Sequence, residues 1–190
     1  MIESKQMNEV LKGLWKDGSQ PGDHIYVEHI ADVEGLIGYL QRKLPALMKK
    51  AKVRLVVVDS IAALFRCEYS AHESVARAKQ LSIIARELHQ LYTKHNIPVI
   101  CVNQVTASMK KKTENVPALG LSWANHVTTR ILLSRTNQIA PPETLSVPTK
   151  QSSTSHMLRY LEVKFAPHLP MMTLPYCINK SGVQGLSCQL

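Results

Sequence analysis

Two places in this chain set chemistry-bearing side chains directly after a short apolar run. In Arg54-Leu55-Val56-Val57-Val58-Asp59-Ser60 the run ends in a carboxylate and a hydroxyl; in Ile97-Pro98-Val99-Ile100-Cys101-Val102 it ends in two amides, Asn103-Gln104. Runs this apolar read as strands buried on both faces of a parallel sheet, and the carboxyl ends of such strands are where open α/β sheets bind ligands. Asp59 offers there the hard oxygen that a hydrated Mg²⁺ bridging nucleotide phosphates requires, a Walker B arrangement with Ser60 beside it. The competing reading is that Asp59 or Ser60 caps the turn that follows. The amide of Gln104 can donate to a terminal phosphate oxygen while its backbone leads into a loop, which would couple nucleotide state to loop position. Its alternative is a strand-end amide satisfying a loop carbonyl. The usual partner of a Walker B acid, a phosphate-cradling G-x-x-x-x-G-K-[ST] loop, is nowhere in these 190 residues.

Two further segments carry side chains suited to polyanions. Thr106-Ala107-Ser108-Met109-Lys110-Lys111-Lys112-Thr113-Glu114-Asn115 follows the second apolar run directly and holds three adjacent lysines. Lysines beside a ligand-binding sheet edge suit a phosphodiester backbone, with binding that is salt-dependent and indifferent to base sequence; the plainer reading is a solvated face. Phe65-Arg66-Cys67-Glu68-Tyr69-Ser70 combines an arginine with two aromatics, a pairing that grips phosphate and stacks bases. Alternatively Phe65 and Tyr69 pack under a helix and Arg66 pairs with Glu68 or Glu73.

The elements that would position these groups follow from periodicity. A short helix is expected over residues 3–14, a breaker cluster at 18–22, and a strand at His24-Ile25-Tyr26-Val27-Glu28-His29. Asp32 can cap a helix carrying Val33, Leu36, Ile37 and Leu40, ending at Leu44 before Pro45. After the strand at residues 53–59, the stripe Ala78, Leu81, Ile84, Ala85, Leu88, Leu91 and Tyr92 predicts a long helix, Ser74–His95, leading into the second apolar strand, where Pro98 is tolerable near the start. Strand, helix, strand is the βαβ signature. Beyond it come a polar stretch at 106–116, a strand at 127–134, and residues 135–156, rich in Pro, Ser and Thr, which read as a flexible loop insertion. Strands near 158–165 and 176–179 and a turn at Ser181-Gly182 then suggest antiparallel additions to a parallel core.

Bulk properties bound the answer without choosing it. With 45% apolar and 19% charged residues the chain fits a globular domain with one buried core, not a disordered segment. A net charge of +9 favours nucleic acid, nucleotide phosphates or an acidic protein as partner. Cys67, Cys101, Cys177 and Cys188 are too widely spaced for a C-x-x-C pair, so they read as reduced thiols of a cytosolic or nuclear protein. No secretory leader is evident and no apolar run approaches the roughly 20 residues of a membrane helix, so no membrane partner is expected.

Taken together, Leu55-Val56-Val57-Val58-Asp59-Ser60-Ile61-Ala62-Ala63-Leu64-Phe65-Arg66, then Val102-Asn103-Gln104-Val105, Trp123-Ala124-Asn125 and Thr128-Thr129-Arg130 resemble the RecA-type recombinases of eukaryotes. Within that family the likeness is to a recombinase paralogue, and it extends to Ile25-Tyr26-Val27-Glu28-His29-Ile30-Ala31-Asp32-Val33, Phe65-Arg66-Cys67-Glu68 and Ala166-Pro167-His168-Leu169-Pro170. The resemblance implies an α/β fold, a RecA-like P-loop NTPase core with a mainly parallel sheet flanked by helices and antiparallel strands at its end. It implies ATP and Mg²⁺ as cofactors, with Asp59 and Ser60 at the nucleotide, Asp59 holding the metal through water, and Gln104 sensing the terminal phosphate. Arg66, Tyr69 and His72 would fall in a first DNA-binding loop, and Lys110, Lys111 and Lys112 in a second. The implied role is homologous-recombination repair of double-strand breaks and interstrand crosslinks, on single-stranded DNA or branched DNA such as a Holliday junction, in a heterodimer with another recombinase paralogue, in the nucleus and also the cytoplasm.

The departures are as specific. Lys110-Lys111-Lys112 matches no family motif residue by residue, and the loop is short. Near Phe165-Ala166-Pro167 the recombinases proper place an acid that caps a neighbour's nucleotide, and no acid stands here. The likeness begins after the family's phosphate loop and catalytic glutamate, so residues 1–190 are expected to form a partial, N-terminally incomplete ATPase core that is inactive alone. The alternative function is a non-catalytic interaction or scaffold fragment of a recombination complex.

Overall fold

In the computed structural model, residues 21–69, 71–107, 115–140, 157–179 and 182–186 are described. Where one core was expected, the chain divides into two compact units, Glu28–Val127, and Met1–Val27 with Thr128–Leu190, each with its own apolar cluster.

The unit Glu28–Val127 is built on a parallel pair of strands, β1 (Val56–Asp59) and β2 (Val99–Val102), in register Val56 with Val99 and Asp59 with Val102. Ahead of β1, helix α1 (Val33–Gly38) starts at Asp32, whose extended backbone lets Oδ1 accept the Gly35 N–H at 2.6 Å. That satisfies one of the helix's orphan donors, a contribution of about 1 kcal/mol. The expected stop before Pro45 does not occur. The helix widens through a π-helical turn, Tyr39–Lys43, and resumes as α2 (Leu44–Met48) with Pro45 just after the wide turn, whose altered hydrogen-bond pattern accommodates the donor that proline lacks.

Helix α3 (Ile61–Glu68) follows β1, and a 3₁₀ turn, Ala71–Glu73, leads into the 22-residue α4 (Ser74–His95). Asn96, left-handed at φ 53°, ends α4 by returning its N–H to the carbonyls of Leu91 and Tyr92. Leu81, Ile84, Ala85, Leu88 and Leu91 are buried on one stripe against Ile61, Phe65 and the α1–α2 side chains Val33, Leu36, Leu40 and Leu44. At roughly 1.5–3 kcal/mol per buried large aliphatic side chain, this stripe outweighs any intrinsic propensity of the helix. Tyr92, expected in the stripe, is instead 62% exposed, turned to solvent beside the buried Leu91.

Burial of the strands on both faces is also overturned. Val56 and Val58 pack on the core, whereas Val57 and Ile100 are 54% and 51% exposed, because within this unit the helices cover only one face of the pair. The stretch at 106–116 is not all loop: β3 (Val105–Ala107) and β4 (Asn115–Pro117) form an antiparallel stem. The short α5 (Gly120–Ala124) then drops Trp123 into the core. The strand expected at His24-Ile25-Tyr26-Val27-Glu28-His29 does not form. His24 closes a 3₁₀ turn, and no described strand lies alongside to take up the backbone bonds, so Ile25, Tyr26 and Val27 stay exposed.

The other unit is an antiparallel sheet in the order β5 (Arg130–Ile139), β6 (Met157–Phe165), β7 (Thr173–Asn179), β8 (Gly182–Gly185), the antiparallel ending that the sequence suggested. β5 runs into the stretch expected to loop; residues 141–156, like 3–14, lie outside the described residues. Leu158, Cys177, Ala140 and Leu186 form its small cluster with Tyr160, while cross-strand neighbours Leu133, Leu161 and Leu174 share the opposite face, with Leu133 63% exposed.

Candidate nucleotide and nucleic-acid site

Parallel register is what brings the candidate groups together. Because Asp59 pairs with Val102, the carboxyl ends of β1 and β2 present Asp59-Ser60 and Asn103-Gln104 along one sheet edge. Asp59 is exposed, and the peptide bond joining it to Ser60 is cis. Ser60 is the N-cap of α3, its Oγ accepting the Ala63 N–H at 3.3 Å, so the capping role belongs to the hydroxyl and leaves the Asp59 carboxylate available.

Gln104 is held from several directions. Its N–H donates to Asn103 Oδ1 at 2.8 Å, and its carbonyl accepts the Ala118 N–H at 2.8 Å, closing the β3–β4 stem. The Ala118 carbonyl in turn accepts from the Arg77 guanidinium of α4 at 3.1 Å. Three buried polar atoms have no hydrogen-bond partner among the described residues: Gln104 Oε1, Arg77 Nε and Gln80 Oε1. A buried orphan costs about 1–3 kcal/mol, and natural structures keep such atoms mainly where a ligand, ion or water completes them. Arg77 and Gln80, three residues apart and so on one face of α4, were not singled out from sequence. Polar side chains flanking the Leu81–Ile84 stripe were the only signal.

A nucleotide-bound magnesium ion fits this edge in part. The exposed Asp59 carboxylate is the hard-oxygen group such a ligand uses, and the Gln104 side-chain NH₂ is the donor a phosphate oxygen needs; the orphaned Gln104 Oε1 is an acceptor, which water rather than phosphate would complete. Among the described residues no three His, Cys, Asp or Glu converge, so a metal here would rest on Asp59 with water and phosphate oxygens completing its shell. The groups present fit the metal and terminal phosphate; the sequence has no glycine-rich loop to hold the remaining phosphates. Near the edge, burial pushes the Cys101 thiol up to about 11.

Of the residues expected at nucleic acid, Arg66, Tyr69 and His72 lie on α3, at its end and in the 3₁₀ turn that follows. Phe65 is 2% exposed and belongs to the core, with the Tyr69 ring stacked on it at 5.6 Å, so for this pair packing is the main role. One face of Tyr69 is thereby occupied. Arg66 on α3 and His72 in the 3₁₀ turn are exposed. Lys110, Lys111 and Lys112 lie outside the described residues, on the connection that the β3–β4 stem carries.

A parallel strand pair with an acid and an amide at its carboxyl edge, a helical crossover and a hairpin stem rooted at the amide define a RecA-like α/β domain. Residues 6–140 match the Rad51 family, and the chain belongs to that family. It is 37% identical over 175 residues to the DNA repair protein XRCC3 of Mus musculus, covering 86% of this chain and 48% of that protein. It is likewise 37% identical over 171 residues to the Bos taurus protein of the same name, covering 87% and 47%. The DNA repair protein XRCC3 homolog of Arabidopsis thaliana is 29% identical over 189 residues, covering 86% and 62%. The chain thus spans about half the length of its mammalian relatives. No helix among the described residues is long and apolar enough to cross a membrane.

Proposed function

We propose that this chain acts in DNA repair by homologous recombination, as a recombinase paralogue that binds single-stranded or branched DNA and works beside another paralogue in a heterodimer, in the nucleus and also the cytoplasm. The carrying observation is that Gln104 stands at the same edge as Asp59 and at the root of the β3–β4 stem. A group that touches a terminal phosphate there is tied by backbone hydrogen bonds to the loop bearing Lys110, Lys111 and Lys112. Asp59 would hold Mg²⁺ through water, with Ser60 beside it, and Gln104 would face the terminal phosphate. Bound ATP–Mg²⁺ would supply a charge whose presence or loss biases the loop. Arg66, Tyr69 and His72 would add contacts to the nucleic acid on the α3 side. Names carried by relatives support this reading, as does the net charge of +9. Action on interstrand crosslinks and on Holliday junctions belongs to the same reading.

With no phosphate loop in its sequence, the chain alone is expected to bind ATP–Mg²⁺ poorly; a micromolar affinity by titration calorimetry contradicts that. For DNA, neutralising Lys110, Lys111 and Lys112 to Gln should lower the slope of log affinity against log salt for single strands by about 2, at ~0.7 per phosphate contact. An unchanged slope would leave those lysines as a solvated face. A second reading, a non-catalytic scaffold in a recombination complex, is favoured by the exposed apolar side chains Val57, Ile100 and Val102 on β1 and β2. Asp59→Asn separates the two: it abolishes nucleotide-dependent complex formation under the first reading and changes nothing under the second.

A further inference from the structure

The edge of the parallel sheet opposite Asp59 carries a second concentration of positive charge. Pairing of Val56 with Val99 sets the residues that lead into β1 beside those that lead into β2. Ahead of β1 stand Lys49, Lys50, Lys52 and Arg54, all exposed, with the half-buried Ala51 and Val53 alternating between the last three. Ahead of β2 is the last turn of α4, with Lys94, His95 and the 62% exposed Tyr92. Residues 44–58 and 88–102 contain no Asp or Glu, and none of the ion pairs among the described residues involves Lys49, Lys50, Lys52 or Arg54. Lys94 Nζ hydrogen-bonds the neutral Gln90 amide at 2.7 Å, and part of its charge is balanced by the nearby Glu87 carboxylate, so the weight of the charge on this edge rests on Lys49, Lys50, Lys52 and Arg54.

Like charges gathered on one edge repel, and the repulsion is relieved when a polyanion displaces their counterions. Lysine ammonium groups suit phosphates, and the exposed Tyr92 ring in the same turn as Lys94 suits a stacked base. We infer that this amino edge of the sheet is a second nucleic-acid surface, taking a single strand through its phosphodiester backbone with Tyr92 under a base. It is separate from the carboxyl edge of Asp59 and Gln104 and does not depend on nucleotide binding there.

The test uses the whole chain and a fluorescein-labelled oligo(dT), with anisotropy read over a series of salt concentrations. Replacing Lys49, Lys50, Lys52 and Arg54 together by Gln should lower the salt slope by roughly 2–3 while Lys110, Lys111 and Lys112 remain, and replacing the three lysines by Arg should preserve it. Tyr92→Ala should weaken binding at least about fivefold with the slope unchanged. An unchanged slope and affinity in the natively folded four-site variant overturns the inference. So does loss of polyglutamate binding with oligonucleotide binding intact, which would make the edge a surface for an acidic protein. Photocrosslinking of the unaltered chain to a bromodeoxyuridine oligonucleotide gives a result independent of any variant's folding: adducts within residues 89–95 support the surface, and adducts confined to other segments refute it.

Discussion

At the scale of single residues, the strand ends show how position converts ordinary side chains into specialised ones. Ser60 spends its acceptor on capping α3, so Asp59 next to it is spared that task and stays exposed. Cys101, one residue before the end of β2, is the converse: its environment suppresses chemistry. A thiol raised to about 11 holds about one thiolate in a thousand at pH 8, and only the thiolate attacks disulfides. Cys101 should therefore resist Ellman's reagent in the native protein at pH 8 and react fully in denaturant, read by mass spectrometry of the labelled peptide. Labelling of native Cys101 at the rate of a free thiol would show that β2 opens readily.

Among elements, the informative junction is between α4 and the β3–β4 stem. Arg77 reaches from the helix to the Ala118 carbonyl, and Ala118 in turn donates to Gln104, so one guanidinium latches the stem to the helix at the residue assigned to the phosphate. Arg77→Met keeps the bulk and leaves that carbonyl unpaired, a cost of about 1–3 kcal/mol. Amide exchange should rise in residues 105–107 and 115–118 while residues 84–91, deep in the α4 stripe, keep their protection; Arg77→Lys should recover part of it. Equal protection of the stem in wild type and Arg77→Met would remove the latch. Sequence revealed α4 and the Asp32 cap because both are local: a stripe at helical spacing and an Asp three residues before an N–H need no knowledge of the rest of the chain. The edge joining Asp59 to Gln104 was legible too, since both apolar runs stop at polar residues. What sequence did not show were the features created by neighbours. The Arg77 latch joins residues 41 apart, the stem of β3 and β4 is only three residues a side, and the π turn ahead of Pro45 is a local accommodation to a missing donor. Tyr92 and the strand expected at 24–29 failed as expectations for one reason: period tells which residues share a side, not whether anything lies against it.

Across the whole molecule, two features oppose each other. Each unit leaves large aliphatic side chains on a sheet face exposed, Val57 and Ile100 in one, Leu133, Leu174 and Val183 in the other, and contiguous apolar surface of this kind drives association. The chain also carries a net charge of +9, which makes copies of it repel. Repulsion between surface charges acts over about 10 Å at 0.1 M salt and only ~3 Å at 1 M, whereas apolar attraction does not weaken with added salt. Raising sodium chloride from 0.1 M to 1 M should therefore move the isolated chain from monomer toward larger species in sedimentation velocity. Substituting Val57 and Ile100 by Thr, which preserves β-branching while adding a hydroxyl, should reduce that shift. If the chain instead disperses as salt rises, its self-association is electrostatic, and the apolar sheet faces are not what joins the copies.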